Sequence, residues 1–240
     1  MKKLLLVCSL AMLAHCSFAQ NDSPTPKKKK TISKDELTGR AADHFLLQSG
    51  YTGWASKPDS LKTKGFTRTF NFYLLFDFPF KTDPRFSVAI GAGVGSDHMF
   101  FDKTTIDLRK TPISFASDTI NKYKKYKLTT GYLEAPVELR FSSNPVEPGK
   151  SFKLALGVKV GTMVDAHTKA KLETDASGYG GYVTKLKDKR NFNGTRLAAT
   201  VRVGYGVFSL FGTYQVNKFI REGFGPDLKP YSIGLTISGL

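Results

Sequence analysis

Cysteine is almost absent from this chain of 240 residues, which contains only two, Cys8 and Cys16. Both lie in residues 1–19, which have the charged start, short apolar run and small terminal residues of a secretory signal peptide. The apolar run is shorter than the roughly 20 residues that a membrane-spanning helix needs. Cleavage after Ala19 would leave a mature chain without thiols, so we expect no disulfide bond and no cysteine-bound metal.

Residues 1–42 also allow a second interpretation of Cys16 and contain a predicted spacer. Residues 13–16, LAHC, loosely resemble a lipoprotein acylation site on Cys16, although His15 stands where a small residue is usual. Residues 20–42 are polar, contain two prolines and include four consecutive lysines at 27–30. That composition predicts a flexible, exported periplasmic segment that does not belong to a folded core.

Long helical patterns are also missing, since no amphipathic helix pattern follows residue 42. No repeat of fixed period is visible there either. Segments with period-two alternation follow one another instead, which favours an all-β protein. Eight strands are predicted, at 43–55, 65–80, 85–101, 126–141, 151–171, 195–207, 208–219 and 229–240. Tight turns alternate with long loops between them, the rhythm of an antiparallel up-and-down barrel. Pro136 removes a backbone donor from the fourth strand, so we expect a bulge or other irregularity there.

The stretch TFNFYLLFDFPF, residues 69–80, has two faces of opposite character. Every even position is Phe or Leu, whereas the odd positions include Thr69, Asn71 and Asp77. Such alternation fits a soluble lipocalin-like carrier with its apolar face inward, or a membrane barrel with that face outward. Glycines concentrate on the polar faces of other strands, where they leave room inside a narrow barrel. We therefore predict a transmembrane β-barrel over residues 43–240, with short periplasmic turns and longer extracellular loops.

Charged residues on the predicted inward faces carry both signs, as buried ions require of their neighbours. They predict a lumen charge network of Asp77, Glu134, Glu138, Arg140, Lys153, Lys159 and Arg202. Rings on the outward face, near the short turns or the chain end, predict an aromatic girdle at one lipid–water boundary. This girdle comprises Phe78, Phe80, Phe86, Phe141, Phe152, Phe208 and Tyr231.

Several segments together resemble a known family. They are DHFLLQSGYTGW, NFYLLFDFPF, FSVAIGAGVG, GYLEAPVELRF and the terminal YSIGLTISGL. These segments resemble the small outer-membrane β-barrel family that includes PorT-like proteins, with YLEAPVEL as the most specific piece. The resemblance covers about residues 43–240 and implies a gram-negative outer-membrane barrel with a periplasmic N-terminus. It implies no defined activity, and the chain ends in Leu240 where such barrels often end in an aromatic residue.

Catalysis is the second hypothesis, because some barrels of this size modify lipid A in the outer membrane. Ser96, Asp97 and His98 end the third predicted strand, and Asp165 and His167 lie late in the fifth. A nucleophile, base and orienting acid could be drawn from these residues. By strand parity, however, His98 faces lipid while Asp97 faces inward, which counts against a shared site. We expect no enzyme activity and no cofactor, since no motif for nucleotide, metal or phosphate chemistry is visible.

The net charge of +16 bears on the expected partners. Nucleic acid is not expected, because no compact surface of basic and aromatic residues is visible. Eight strands enclose an interior that side chains fill, so we expect no open pore. The loop 103–125 carries six basic residues, Lys103, Arg109, Lys110, Lys122, Lys124 and Lys125, against two aspartates. We expect contact with outer-membrane lipid, and this loop offers a site for lipopolysaccharide or a protein partner.

Overall fold

A computed structural model describes residues 44–58, 61–63, 66–117, 122–174 and 181–239. The predicted signal peptide and the predicted periplasmic segment lie outside the described residues. The described strands are β1 (Phe45–Ala55), β2 (Arg68–Pro79), β3 (Phe86–Phe101), β4 (Thr104–Asp107), β5 (Ser114–Ser117), β6 (Lys122–Ser142), β7 (Phe152–Thr174), β8 (Val183–Lys187), β9 (Thr195–Tyr205), β10 (Phe208–Gln215) and β11 (Lys229–Ser238). A single turn of 3-10 helix covers Pro148–Lys150. Among the described residues, no helix is long and apolar enough to cross a membrane.

Eight of these strands close into an antiparallel barrel. Their order is β6-β3-β2-β1-β11-β10-β9-β7, and pairing between β6 and β7 closes the ring. Chain neighbours pair along the barrel, and β1 pairs with β11 where the first and last strands meet. A closed barrel leaves no strand edge among these eight strands, so every backbone ladder has a partner. The predicted eight-stranded all-β fold is confirmed.

The structure adds strands where the sequence predicts only long loops. β4 and β5 form a separate hairpin within residues 102–125. β8 pairs with the far end of β7, between Val183–Lys187 and His167–Lys171. β6 starts at Lys122 and β7 continues to Thr174, so both run further than predicted. Beyond the barrel, β3, β6, β7 and β8 thus form a sheet that we call the extension, on the side of the long loops.

The apolar faces of the barrel strands point outward and the polar faces point inward. In β2, Phe76 is 65% exposed whereas Tyr73 is 1% exposed, and this alternation persists along the strand. Large apolar side chains also cover the outside of other strands, including Ile90, Val158 and Leu210. Buried Thr, Ser, Asn and Gln side chains line the interior with the charged residues described below. This distribution suits hydrocarbon outside and a packed polar lumen inside.

The irregularity expected at Pro136 is an interruption of pairing without a bulge. The ladder between β3 and β6 is unpaired at Gly91 and Ala92, opposite Pro136 and Ala135, while its register is unchanged on both sides. On its other side Pro136 pairs in regular register with Lys159. The missing proline donor accounts for the interruption. A register shift in β6 occurs elsewhere, between Gly131 and Tyr132, at the start of the extension.

The long-loop end of the barrel contains the larger apolar cluster. Side chains from the loops turn inward and pack on residues at the ends of the barrel strands and in the extension. We call this group the loop-end cluster: Trp54, Leu61, Met99, Phe101, Ile106, Leu108, Ile113, Tyr126, Leu128, Tyr132, Met163, Ala166, Ala170, Phe192, Phe219, Ile220 and Leu228. Burial of this many apolar side chains folds the long loops over the end of the barrel.

Candidate functional site

Glu134 lies at the centre of the first of two ion clusters in the barrel interior. Its carboxylate accepts a hydrogen bond from the Tyr73 hydroxyl and lies 3.1 Å from Arg196 Nη1 and 3.7 Å from Lys159 Nζ. Arg196 Nη1 also lies 3.1 Å from Asp97 Oδ2. The Lys159 ammonium donates to the Tyr73 hydroxyl at 3.1 Å. Each buried charge therefore has a partner of opposite sign, which offsets the cost of removing it from water.

The second ion cluster lies nearer the short turns and is centred on Glu138. Its Oε2 accepts from Arg140 Nε at 2.9 Å and from Arg202 Nη2 at 2.8 Å. Arg140 Nη1 lies 3.6 Å from Asp77 Oδ1, and the Ser87 hydroxyl donates to that oxygen at 2.7 Å. These contacts join β2, β3, β6 and β9 through the interior, so the cluster stabilises the barrel across its width.

Small residues make space for both central carboxylates. Glu134 lies directly opposite Gly93 in β3 and Gly161 in β7, and Glu138 lies opposite Gly157 in β7. A Cβ atom on Gly161 would lie 2.9 Å from Glu134 Cγ, and one on Gly157 would lie 3.0 Å from Glu138 Cγ. The glycines that weaken these strands locally thus admit the ion clusters.

All seven residues of the predicted lumen charge network lie in the barrel interior. The structure brings six of them into the two ion clusters and buries the seventh, Lys153, on the same inner surface. The sequence analysis missed Arg196 and Tyr73 as members and placed Asp97 only by its inward parity. The inward parity of Arg196 within Thr195–Tyr205 was the available signal. Its pairing with Asp97 joins strands that are not neighbours, which no sequence pattern encodes.

Six of the seven predicted girdle rings lie at the short-turn end, as expected from their positions. Phe86 and Phe141 contact each other there, with ring centroids 5.1 Å apart. Tyr231 is a correction, because it lies at the opposite, long-loop end, paired with Tyr214 across β10 and β11. Its ring centroid lies 6.3 Å from that of Tyr51. β11 ends near the chain terminus but begins at a long loop, so its first residues cannot lie near the short turns.

The residues considered for catalysis separate onto two faces. Asp97 points into the lumen and pairs with Arg196, so it is not available to His98. On the outer face, His98 Nε2 lies 3.4 Å from Ser96 Oγ, and His98 Nδ1 lies 3.0 Å from Thr129 Oγ1. On the same face, at the start of the extension, His167 Nδ1 lies 2.6 Å from Asp165 Oδ2. Burial, followed by the charge of Lys127, lowers the pKa of His98 and favours its neutral form.

The basic loop 103–125 divides into parts with different surroundings. Ile106 and Leu108 turn inward to the loop-end cluster, while Arg109 and Lys110 are exposed between β4 and β5. Lys125 belongs to β6 and is exposed in the extension. Residues 118–121 of this loop lie outside the described residues. The described basic residues of this loop therefore belong to different elements.

The fold and its solvent-facing pattern define a class of protein: a closed barrel of eight strands with an apolar exterior and a charged, packed interior. A protein-family model described as an outer membrane protein beta-barrel domain matches residues 18–235. Because this match covers most of the chain, the protein belongs to that outer-membrane β-barrel family. Among curated proteins, no match was found.

Proposed function

We propose that the mature protein is an integral outer-membrane barrel with a structural, anchoring or interaction role and without an open pore. In this arrangement its N-terminus and short turns face the periplasm of a gram-negative cell, and its long loops face outward. The observation that carries the proposal is the outward apolar face, which argues against a soluble carrier with an apolar cavity. We also propose that the protein belongs to the PorT-like subgroup and that residues 1–19 are a secretory signal peptide.

Two features support the absence of a pore. The ion clusters around Glu134 and Glu138 occupy the lumen and join strands that are neighbours with strands that are not. The loop-end cluster covers the end of the barrel with apolar side chains. Liposomes that contain the protein should therefore retain small sugars as well as empty liposomes do. Swelling of these liposomes in an iso-osmotic sugar solution would contradict a closed barrel.

Heat modifiability in the washed outer-membrane fraction tests the proposed location. A closed barrel resists SDS until it is boiled, so the unboiled protein should migrate faster than the boiled protein. A band that stays in the membrane after washing with urea and shows this shift supports the proposal. Release of the protein by salt or urea would contradict a lipid-facing exterior.

Modification of lipid A is the second candidate function, favoured by the contact between Ser96 and His98 on the outer face. The neutral imidazole of His98 is the form that a general base requires. If this site acts on lipid A, overexpression of the protein should change the mass of extracted lipid A. Ser96→Ala or His98→Ala should then abolish the change, whereas Ser143→Ala in a short turn should leave it intact.

A further inference from the structure

Several cationic side chains lie close together on the outer side of the extension and at the adjoining start of β2. Together they form what we call the cationic face: Arg68, Lys125, Lys127, Lys169, Lys171, Lys185 and Lys187. Leu128 and Ala170 on the opposite side of this sheet are buried in the loop-end cluster, so the lysines are directed away from the barrel interior. The alternation that covers the barrel with apolar side chains thus covers the extension with cations.

The cations of this face lie directly opposite one another. Lys127 pairs with Lys169, and Lys169 pairs with Lys185, across three adjacent strands. Like charges in such cross-strand pairs repel and destabilise a sheet. Burial, followed by the charges of Lys125 and Lys169, lowers the pKa of Lys127. An anion bound between these ammonium groups would relieve the repulsion.

Two carboxylates lie on this face, that of Asp165 and that of the exposed Glu173 beside Lys171. In the described part of the chain, the salt bridge between Lys187 and Asp165, at 2.8 Å, is the one that this face contains. Two of the other cations lie close to an aromatic ring, since Arg68 and Lys125 are 5.6 and 5.0 Å from the ring centroid of Phe100. The face therefore retains a strong net positive charge.

The cationic face directly adjoins the apolar exterior of the barrel. Along the outer side of β3, exposed Ile90 and Val94 are followed by Ser96, His98 and Phe100 towards the extension. A phosphorylated lipid has the same order of chemistry, with acyl chains followed by an anionic headgroup. Its chains fit against the apolar band while its phosphates reach the cations.

We propose that the cationic face binds the phosphate groups of a phosphorylated glycolipid of the outer leaflet, of the lipid A type. This inference rests on the proposed location in the outer membrane, with the long loops outward. It differs from binding by the loop 103–125, because most of its cations belong to β6, β7 and β8. Bound lipid would fix the extension against the membrane surface.

Binding of lipid A to the folded barrel in neutral detergent tests this inference. Native mass spectrometry at low ionic strength would compare phosphorylated lipid A with enzymatically dephosphorylated lipid A. The test variant combines Lys169→Gln with Lys185→Gln, two exposed residues that pair directly. The control combines Lys81→Gln with Lys150→Gln, which are exposed at the short-turn end and remove the same charge. We expect the test variant to bind about tenfold more weakly, and the control to bind like the unmodified protein.

Three outcomes would overturn the inference: equal affinity of the two variants, equal binding of dephosphorylated lipid A, or displacement of the lipid by inorganic phosphate alone. The last would indicate a site for a free anion. Each sample is also run in SDS with and without boiling. A heat-modifiable sample that fails to bind contradicts the cationic face alone, whereas loss of membrane association in the cell fraction contradicts the proposed location.

Discussion

At the scale of single residues, the Glu134 carboxylate is the common partner of the Arg196 guanidinium and the Lys159 ammonium. Glu134→Ala would leave both cations buried with one partner fewer. We expect the free energy of unfolding to fall by about 3–5 kcal/mol. Urea unfolding in lipid vesicles, followed by the fluorescence of Trp54, the only tryptophan, measures the change. Glu147→Ala, in an exposed turn, is the control; an unchanged urea midpoint for Glu134→Ala would show that the cluster contributes no stability.

Gly161 also supports the first ion cluster, because its lack of a side chain leaves space for Glu134. A Cβ there would lie 2.9 Å from Glu134 Cγ and 3.1 Å from the Leu133 carbonyl oxygen, so Gly161→Val forces neighbouring atoms apart. We expect a loss of about 1–3 kcal/mol in the free energy of unfolding. Gly194→Val is the control, because apart from its two chain neighbours no described residue has an atom within 4 Å of the added Cβ. If both variants unfold at the same urea concentration, the interior has more room than the structure indicates.

At the scale of elements, Asn191 joins two loops of the long-loop end. Its side-chain amide donates to the carbonyl oxygens of Leu108 and Lys110, at 3.1 and 2.7 Å, and accepts from Thr111 Oγ1 at 3.2 Å. Asn191→Leu keeps the size of the side chain but removes these hydrogen bonds, leaving the buried carbonyl of Leu108 and the partly buried carbonyl of Lys110 without that donor.

We expect the segment around Arg109, which is exposed, to open more often in this variant. Limited trypsin digestion should then cut after Arg109 or Lys110 several times faster, while the heat-modifiable band persists. Asn144→Leu, in a short turn at the other end of the barrel, should digest at the same rate as the unmodified protein. An unchanged rate for Asn191→Leu would mean that apolar packing alone holds the loop.

The elements also differ in how far the sequence predicted them. Barrel strands such as β2 and β9 were predictable because their outer face is apolar and their inner face lines the polar lumen. This imposes strict alternation of apolar and polar residues along each strand. β8 was not predicted, since VTKLK at Val183–Lys187 becomes a strand only when β7 extends far enough to pair with it. Apolar residues such as Phe192 and Ile220 were visible in the long loops. Which of them meet depends on loop paths that no periodic pattern records.

At the scale of the whole molecule, the barrel carries apolar side chains outside and polar side chains inside, the reverse of a soluble protein. Alternation decides which side chains face inward, and strand register decides which of them meet. Alternation predicted that Asp97 faces inward, and the alternation within β9 puts Arg196 on the inner face as well. Their contact depends on barrel closure, because β3 and β9 are separated by β6 and β7 in the ring. The two ion clusters therefore depend on the curvature of the barrel, which brings the inner faces of β3 and β9 together across β6 and β7.

Because the apolar side chains face outward, two exposed valines can test which part of the barrel lies in the membrane. Val158, in the middle of the apolar band, and Val183, in the extension, are 48% and 51% exposed. An arginine at either site meets similar protein surroundings in water, so a soluble barrel would lose little stability from either substitution. In a bilayer, Val158→Arg places a charge in hydrocarbon and should lower the free energy of unfolding by about 2–4 kcal/mol. Val183→Arg should cost less than about 1 kcal/mol, and equal losses in vesicles would contradict a membrane-spanning barrel.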